Sequence, residues 1–234
     1  MTADHTDGGA LPSLEVLDVD GAIRDSFEKT GGDTRAVFLK KALVGGTALA
    51  GSGALMGAMP GIAGAAQSTR GGSVKRDIAI LNFALTLEYL ESTFYARSVK
   101  SGALTGELAT FAKVVSAHES AHVAAIKATI KKLGGTPVHS PKFNFRGATS
   151  DKVKFAETAM ALEDTGVKAY SGQVNRVYLG PVLAAATSIL TVEARHASWI
   201  RNINRDAPAP RDFDIAWSQK QVLAAVKATG FIVG

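Results

Sequence analysis

Residues 118–122 read His118-Glu119-Ser120-Ala121-His122, and 74 residues beyond Glu119 the chain reads Glu193-Ala194-Arg195-His196. In both stretches a histidine follows a glutamate by three positions, the spacing that sets two side chains on one face of an α-helix. Working outward, Glu88 stands 31 residues before Glu119, and Glu163 stands 30 residues before Glu193. The acids therefore run Glu, Glu-x-x-His, Glu, Glu-x-x-His, an internal repeat of ligand-type positions. Tyr95 follows Glu88 by seven residues and Tyr170 follows Glu163 by seven, which is about two helical turns.

The text around these residues is helical. Ile78, Leu81, Leu85, Leu87, Leu90 and Phe94 predict a first helix from about Asp77 to Lys100, stopped by Ser101-Gly102. Thr105 is placed to cap a second helix reaching Leu133, with Gly134-Gly135 and Pro137 beyond it. Ser150-Asp151 opens a third, to about Tyr178. Leu179-Gly180-Pro181 breaks it and starts a fourth, to about Arg205, since proline suits a first helical position. Short turn, long connection, short turn is the connectivity of an all-α four-helix bundle with one crossover. Val222, Ala225 and Val226 predict a short fifth helix within Trp217 to Thr229.

Each of the four long helices carries one repeat element, and its neighbours on the same stripe are apolar or small: Leu81, Ala84 and Leu85 beside Glu88, Ala112 and Val115 beside Glu119, Ala156 and Met160 beside Glu163, and Ala186, Ile189 and Leu190 beside Glu193. The glutamates are thus expected to point inward. Four unpaired carboxylates in a core would cost several kcal/mol each, of order 5 or more, even after relaxation. Two divalent cations would offset the four negative charges, with neutral imidazoles completing the set. Mixed carboxylate and imidazole donors suit Fe, Mn or Zn better than Ca or Mg.

Leu87-Glu88-Tyr89-Leu90-Glu91-Ser92-Thr93-Phe94-Tyr95, His118 to His122 and Leu162-Glu163-Asp164 resemble the ferritin-like domain family, which includes exported bacterial proteins and plant desiccation-related proteins within the di-iron and di-manganese carboxylate superfamily. The resemblance covers residues 77 to 204. It implies a ferritin-like bundle in which Glu119 and Glu193 bridge two metal ions, Glu88 and Glu163 are terminal ligands, and His122 and His196 bind one ion each. Tyr95 and Tyr170 would sit just outside the ligands. Iron is the metal the resemblance favours, with Mn and Zn open.

Other residues compete for roles. Glu91 lies one turn from Glu88 on an adjacent face and is the alternative ligand, otherwise an acid just outside the ligands or at the surface; the tyrosine echo favours Glu88. His118 points about 100° away from Glu119 and is expected to be a partner-bonded helix histidine. His139 in the crossover, Glu157 and Asp164 are expected to face solvent. Trp199 and Trp217 are read as packing residues, and Phe143-Asn144-Phe145 as pegs that hold the crossover to the bundle.

Composition narrows the rest. The absence of cysteine removes disulfides, thiolate metal sites, Fe–S clusters and cysteine nucleophiles together. Of 24 glycines, 14 fall in residues 1 to 72. Residues 1–33 are acidic and lack apolar periodicity, which predicts a disordered leader. Residues 34–66 follow as an export signal: Thr34 to Lys41 form a basic region, Ala42 to Met59 an uncharged one, and Pro60 to Ala66 a small-residue cleavage site. The Phe38-Leu39-Lys40 tripeptide and the mild, Gly/Ala-rich apolar stretch resemble a twin-arginine (Tat) signal, with Arg35-Ala36 where that pattern has two arginines; Sec export is the other route. Cleavage after Ala65 would leave a net charge of +8, scattered singly along helices with no arginine-aromatic module for nucleic acid.

The expected function is that of an exported protein, in the periplasm, envelope or medium, whose dinuclear centre reacts with O₂ or peroxide in stress protection. The alternatives are a dimanganese, catalase-like activity and a non-catalytic protein in which metal only cements the bundle. No stable membrane span is expected after signal removal, and a homodimer is left open.

Overall fold

The computed structural model describes residues 72–233. The leader and export signal expected over residues 1–66 lie outside the described residues. Five helices follow: α1 Val74–Ser101, α2 Gly106–Lys132, α3 Lys152–Val174, α4 Gly180–Ile203 and α5 Gln219–Thr229. α1 packs chiefly on α2 and α3 chiefly on α4, with α1 also meeting α3, α2 meeting α4, and α5 resting on α3. This is the all-α bundle with one crossover and a short C-terminal helix that the spacing predicts.

Local chemistry sets the ends. Ser73 caps α1 by accepting a hydrogen bond from the Arg76 amide, and Gly102, with φ 66°, takes the left-handed turn that lets α2 fold straight back. Asp151 caps α3 through the Val153 and Lys154 amides. Ser218 and Gln221 form a reciprocal capping box on α5. Thr105 occupies the N-cap of α2 but makes no side-chain capping bond.

The boundary that differs most from the sequence expectation is the end of α3. α3 ends at Val174, four residues before Tyr178, because the backbone N–H groups of Tyr178 and Leu179 both donate to the carboxylate of Asp77, at 2.8 Å each. Asp77 is fully buried in the first turn of α1, so a long-range acceptor unwinds the last turn of α3 and seats the α3–α4 turn.

The crossover, residues 133–151, is tied down along its length. The side-chain amide of Asn82 donates to the Thr136 carbonyl and accepts from the Val138 amide. Arg97 donates to the Phe143 carbonyl at 2.9 Å. Phe143 pairs with Ile232 as an isolated antiparallel bridge, so the chain end returns to clamp the crossover. Phe143 and Phe145 are buried while Asn144 is exposed, as pegs would be.

Along every long helix the acids separate two kinds of core. On one side lie Phe94, Tyr95, Phe111, Phe155, Phe145 and Phe231; Phe94 and Phe155 stack with centroids 5.3 Å apart. On the other lie Ile80, Leu81, Leu85, Ile126, Ile130 and Ile189. The polar centre is therefore enclosed at both ends by apolar packing. No described helix is long and apolar enough to cross a membrane.

Candidate metal centre

Glu88 on α1, Glu119 on α2, Glu163 on α3 and Glu193 on α4 are each fully buried. All four turn inward because they occupy the apolar stripe of an amphipathic helix. His122 and His196, one turn beyond Glu119 and Glu193, enter the same space and are 9% and 3% exposed. The six fall into two groups, Glu88, Glu119, His122 and Glu193 in one and Glu119, Glu163, Glu193 and His196 in the other, with one donor atom per residue and all within 4.8 Å of one another.

The distances inside the groups are those of a coordination sphere. Nδ1 of His122 lies 3.3 Å from Glu88 Oε2, 3.4 Å from Glu119 Oε2 and 3.2 Å from Glu193 Oε1. Nδ1 of His196 lies 3.3 Å from Glu119 Oε1 and 3.2 Å from Glu163 Oε2. Donors about 2.1 Å from a central ion stand roughly 3.0 to 3.4 Å from one another at octahedral or tetrahedral edges. Glu119 gives one oxygen to each group.

Hydrogen bonding sorts the donors. Both oxygens of Glu119, both oxygens of Glu193, Oε2 of Glu88, Oε2 of Glu163 and Nδ1 of both histidines are buried without a hydrogen-bond partner. The second oxygens of Glu88 and Glu163 are satisfied: Tyr170 O–H donates to Glu88 Oε1, and Tyr95 O–H donates to Glu163 Oε1. The tyrosines cross between hairpins, α3 to α1 and α1 to α3. Buried polar atoms without a hydrogen-bond partner are rare in folded proteins, and eight of them converging on one space could hold cations.

The electrostatics agree. Burial, reinforced by the neighbouring carboxylates, pushes Glu119 and Glu193 well above the usual carboxylate range. Burial would lower His122, but contacts with Glu119, Glu193 and Glu88 outweigh it and push the ring up to about 12. Burial and the adjacent carboxylate raise Tyr95 and Tyr170, so both phenols stay protonated as donors. A cation bound by these groups would displace their protons.

Glu91 is outside both donor groups. It is 4% exposed, so the reading of it as a surface acid is corrected: its Oε1 lies 3.4 Å from where a Cβ on Gly166 would stand, and that glycine opens the space it fills. Burial pushes Glu91 well above the carboxylate range, ahead of the charges of Glu193 and Glu119. His118 is exposed along part of its ring yet places Nδ1 2.9 Å from Nε2 of His196.

Asp164 does not simply face solvent. Half-buried, it pairs with Arg201 through Nε at 3.1 Å and through a second guanidinium nitrogen, with Lys168 at 3.8 Å. Glu157 and His139 are exposed as expected. Trp199 packs edge-on against Phe111 and donates to Glu107, while Trp217 lies under Lys168 and docks its backbone against Gly172.

A family model described as the ferritin-like domain matches residues 76–205, more than half of the chain. No curated protein matches it. Four helices with one crossover, the repeated glutamates and histidines at their centre and that match agree, and the chain belongs to the ferritin-like domain family.

Proposed function

We propose that this chain binds two divalent metal ions, iron in the first place, and uses them to react with O₂ or peroxide. The observation that carries the reading is the division of the orphaned atoms: two oxygens each from Glu119 and Glu193, one each from Glu88 and Glu163, and one nitrogen from each histidine. Carboxylates with both oxygens free can serve two ions, and carboxylates with one oxygen held by a tyrosine serve one. Six protein residues leave coordination positions for a small molecule.

When bound, an iron pair supplies two electrons, one from each Fe(II), enough with two protons to reduce one peroxide to two waters. The protein's own part is to hold the donors in place and keep the surroundings dry. Tyr95 and Tyr170 each hold one oxygen of a terminal carboxylate, which leaves the other aimed inward. Glu119 and Glu193, whose oxygens have no hydrogen-bond partner, would be able to adjust their contact as the charge of a bound centre changes. Phe94, Phe111 and Phe155 exclude water on one side, and Leu85, Ile126 and Ile189 on the other. His122 is the most exposed of the six and marks the side nearest solvent.

Protein purified, stripped and reloaded with Fe(II) is expected to consume peroxide and oxidise added Fe(II) faster than a Glu119→Ala variant treated alike. Equal rates would overturn the catalytic reading. The donor types do not separate iron from manganese; elemental analysis of native protein does, and manganese would make the reaction catalase-like. The charge and apolar pattern of residues 34–66 supports export, tested by whether the N-terminus of the native protein begins just after Ala65.

A further inference from the structure

His196 and His122 occupy matched positions in the two hairpins, but among the described residues only His196 is held from behind. Its Nε2 lies 2.9 Å from Nδ1 of His118, and the two rings lie nearly parallel, with centroids 5.1 Å apart and planes inclined by 15°. Its other nitrogen, Nδ1, faces Glu119 and Glu163 and has no hydrogen bond of its own. Among the described residues no protein group hydrogen-bonds Nε2 of His122. The position matched to His118 in the other hairpin is Val192, one residue before Glu193, and valine offers no acceptor.

We propose that His118 is a positioning residue for one half of the centre, and that it makes the ion bound by His196 the tighter of the two. The inference rests on the dinuclear reading. A histidine that binds a cation through Nδ1 must carry its proton on Nε2, and that N–H needs an acceptor when it is buried. His118 Nδ1 is that acceptor, which fixes the tautomer of His196, locks its ring and raises its basicity. Partners of this kind are typically worth about 10–100-fold in metal affinity. His122 has no such lock and loses rotamer freedom on binding, so its ion is the weaker and the second to enter.

The test titrates the full metal-free chain with Co(II) alone, following the visible absorption of the bound ion and the stoichiometry by chelator competition. Wild type is expected to take up two Co(II) in two steps. His118→Ala should weaken the first step by about 10–100-fold, alter its absorption bands and leave the second step in place. His118→Asn, whose side-chain oxygen can stand where Nδ1 does, should restore most of the affinity. Unchanged binding in His118→Ala, equal weakening of both steps, or failure of the asparagine to rescue would each overturn the inference. A clearly lower melting temperature of metal-free His118→Ala would do so too, by making the pair structural. A wild-type chain that takes up no Co(II) overturns the dinuclear reading itself, and this inference with it.

Discussion

The α1–α2 and α3–α4 hairpins supply the same four groups at nearly the same spacing, Glu88, Tyr95, Glu119 and His122 against Glu163, Tyr170, Glu193 and His196, yet they surround them differently. Glu91 on α1 is matched by Gly166 on α3, and His118 on α2 by Val192 on α4. His122 lies nearer solvent than His196. The donor atoms are thus duplicated while their environments are not. A bulky acid on one side fills the hollow left by a glycine on the other, and among the described residues only one of the two histidines has a partner behind it. On the proposed dinuclear reading, charge balance would call for the repeat, and selectivity between the two positions for the departures from it.

The largest effect should come from the two carboxylates shared by both halves. Glu119→Ala and Glu193→Ala are each expected to lose both ions by elemental analysis, whereas Glu88→Ala and Glu163→Ala should lose one. At a thousandfold excess over its dissociation constant an ion stabilises the fold by about 4 kcal/mol, which is about 10 °C in melting temperature for a domain of this size. Metal addition should therefore move the wild-type melting curve upward strongly and leave those of the shared-carboxylate variants nearly still. A wild-type shift with no redox turnover would leave the metal as a cement for the bundle alone.

The tyrosines test whether the halves are energetically alike. Tyr95→Phe strands Glu163 Oε1, and Tyr170→Phe strands Glu88 Oε1, each in a buried setting. Losing such a donor costs about 1–3 kcal/mol, to be read as weaker metal binding by titration. Equal losses would mean that the asymmetry is confined to the histidines and Glu91. Unequal losses would extend it to the terminal carboxylates.

Much of this centre was legible from the chain because its parts are local. Periodicity placed four helices, and the cost of burying four acids made cations the expectation. Where the sequence reading fell short, the cause lay far away along the chain. Nothing near Tyr178 shows that Asp77 will take its amide and end α3 early. Glu91 read as a possible surface acid because its cover depends on the missing side chain of Gly166. His118 was recognisable as a histidine in need of a partner, but that the partner is His196 follows from how α2 and α4 pack. The match of Glu91 to Gly166 was present in the 75-residue offset and could have been found by aligning the hairpins.

Acid and base should separate the metal-free from the loaded protein by a few degrees. The folded state raises Glu119, Glu193 and Glu91 above the carboxylate range, so metal-free protein holds protons that the unfolded chain has released, and stability falls as pH rises past about 4.5. His122 acts in the same direction. Its contribution is complete below its ordinary value of 6.5 and is lost as pH rises toward about 12. Cations displace these protons, so their binding strengthens with pH. The gap between loaded and metal-free melting temperatures should widen from about pH 5.5 to about pH 8. A gap that narrows would mean the buried acids are already ionised without metal.

The smallest effect, and the sharpest on the matched positions, belongs to Gly166→Ala. Alanine favours the interior of α3 over glycine by up to about 1 kcal/mol, so on helix propensity alone the metal-free protein should melt unchanged or slightly higher. Yet the new Cβ would lie 3.0 Å from Oε2 of Glu193, which must retreat by a few tenths of an ångström, while Oε1 of Glu91 at 3.4 Å is at ordinary contact distance. Glu193 belongs to both donor groups, so its retreat should weaken metal uptake severalfold while the fold is untouched. That opposition, a fold no worse and a centre poorer, is expected only if the glycine is kept for the carboxylates. Unchanged metal affinity would show that the contact is relieved without drawing the Glu193 oxygens away from the donor groups, and that the hollow serves packing rather than the ions.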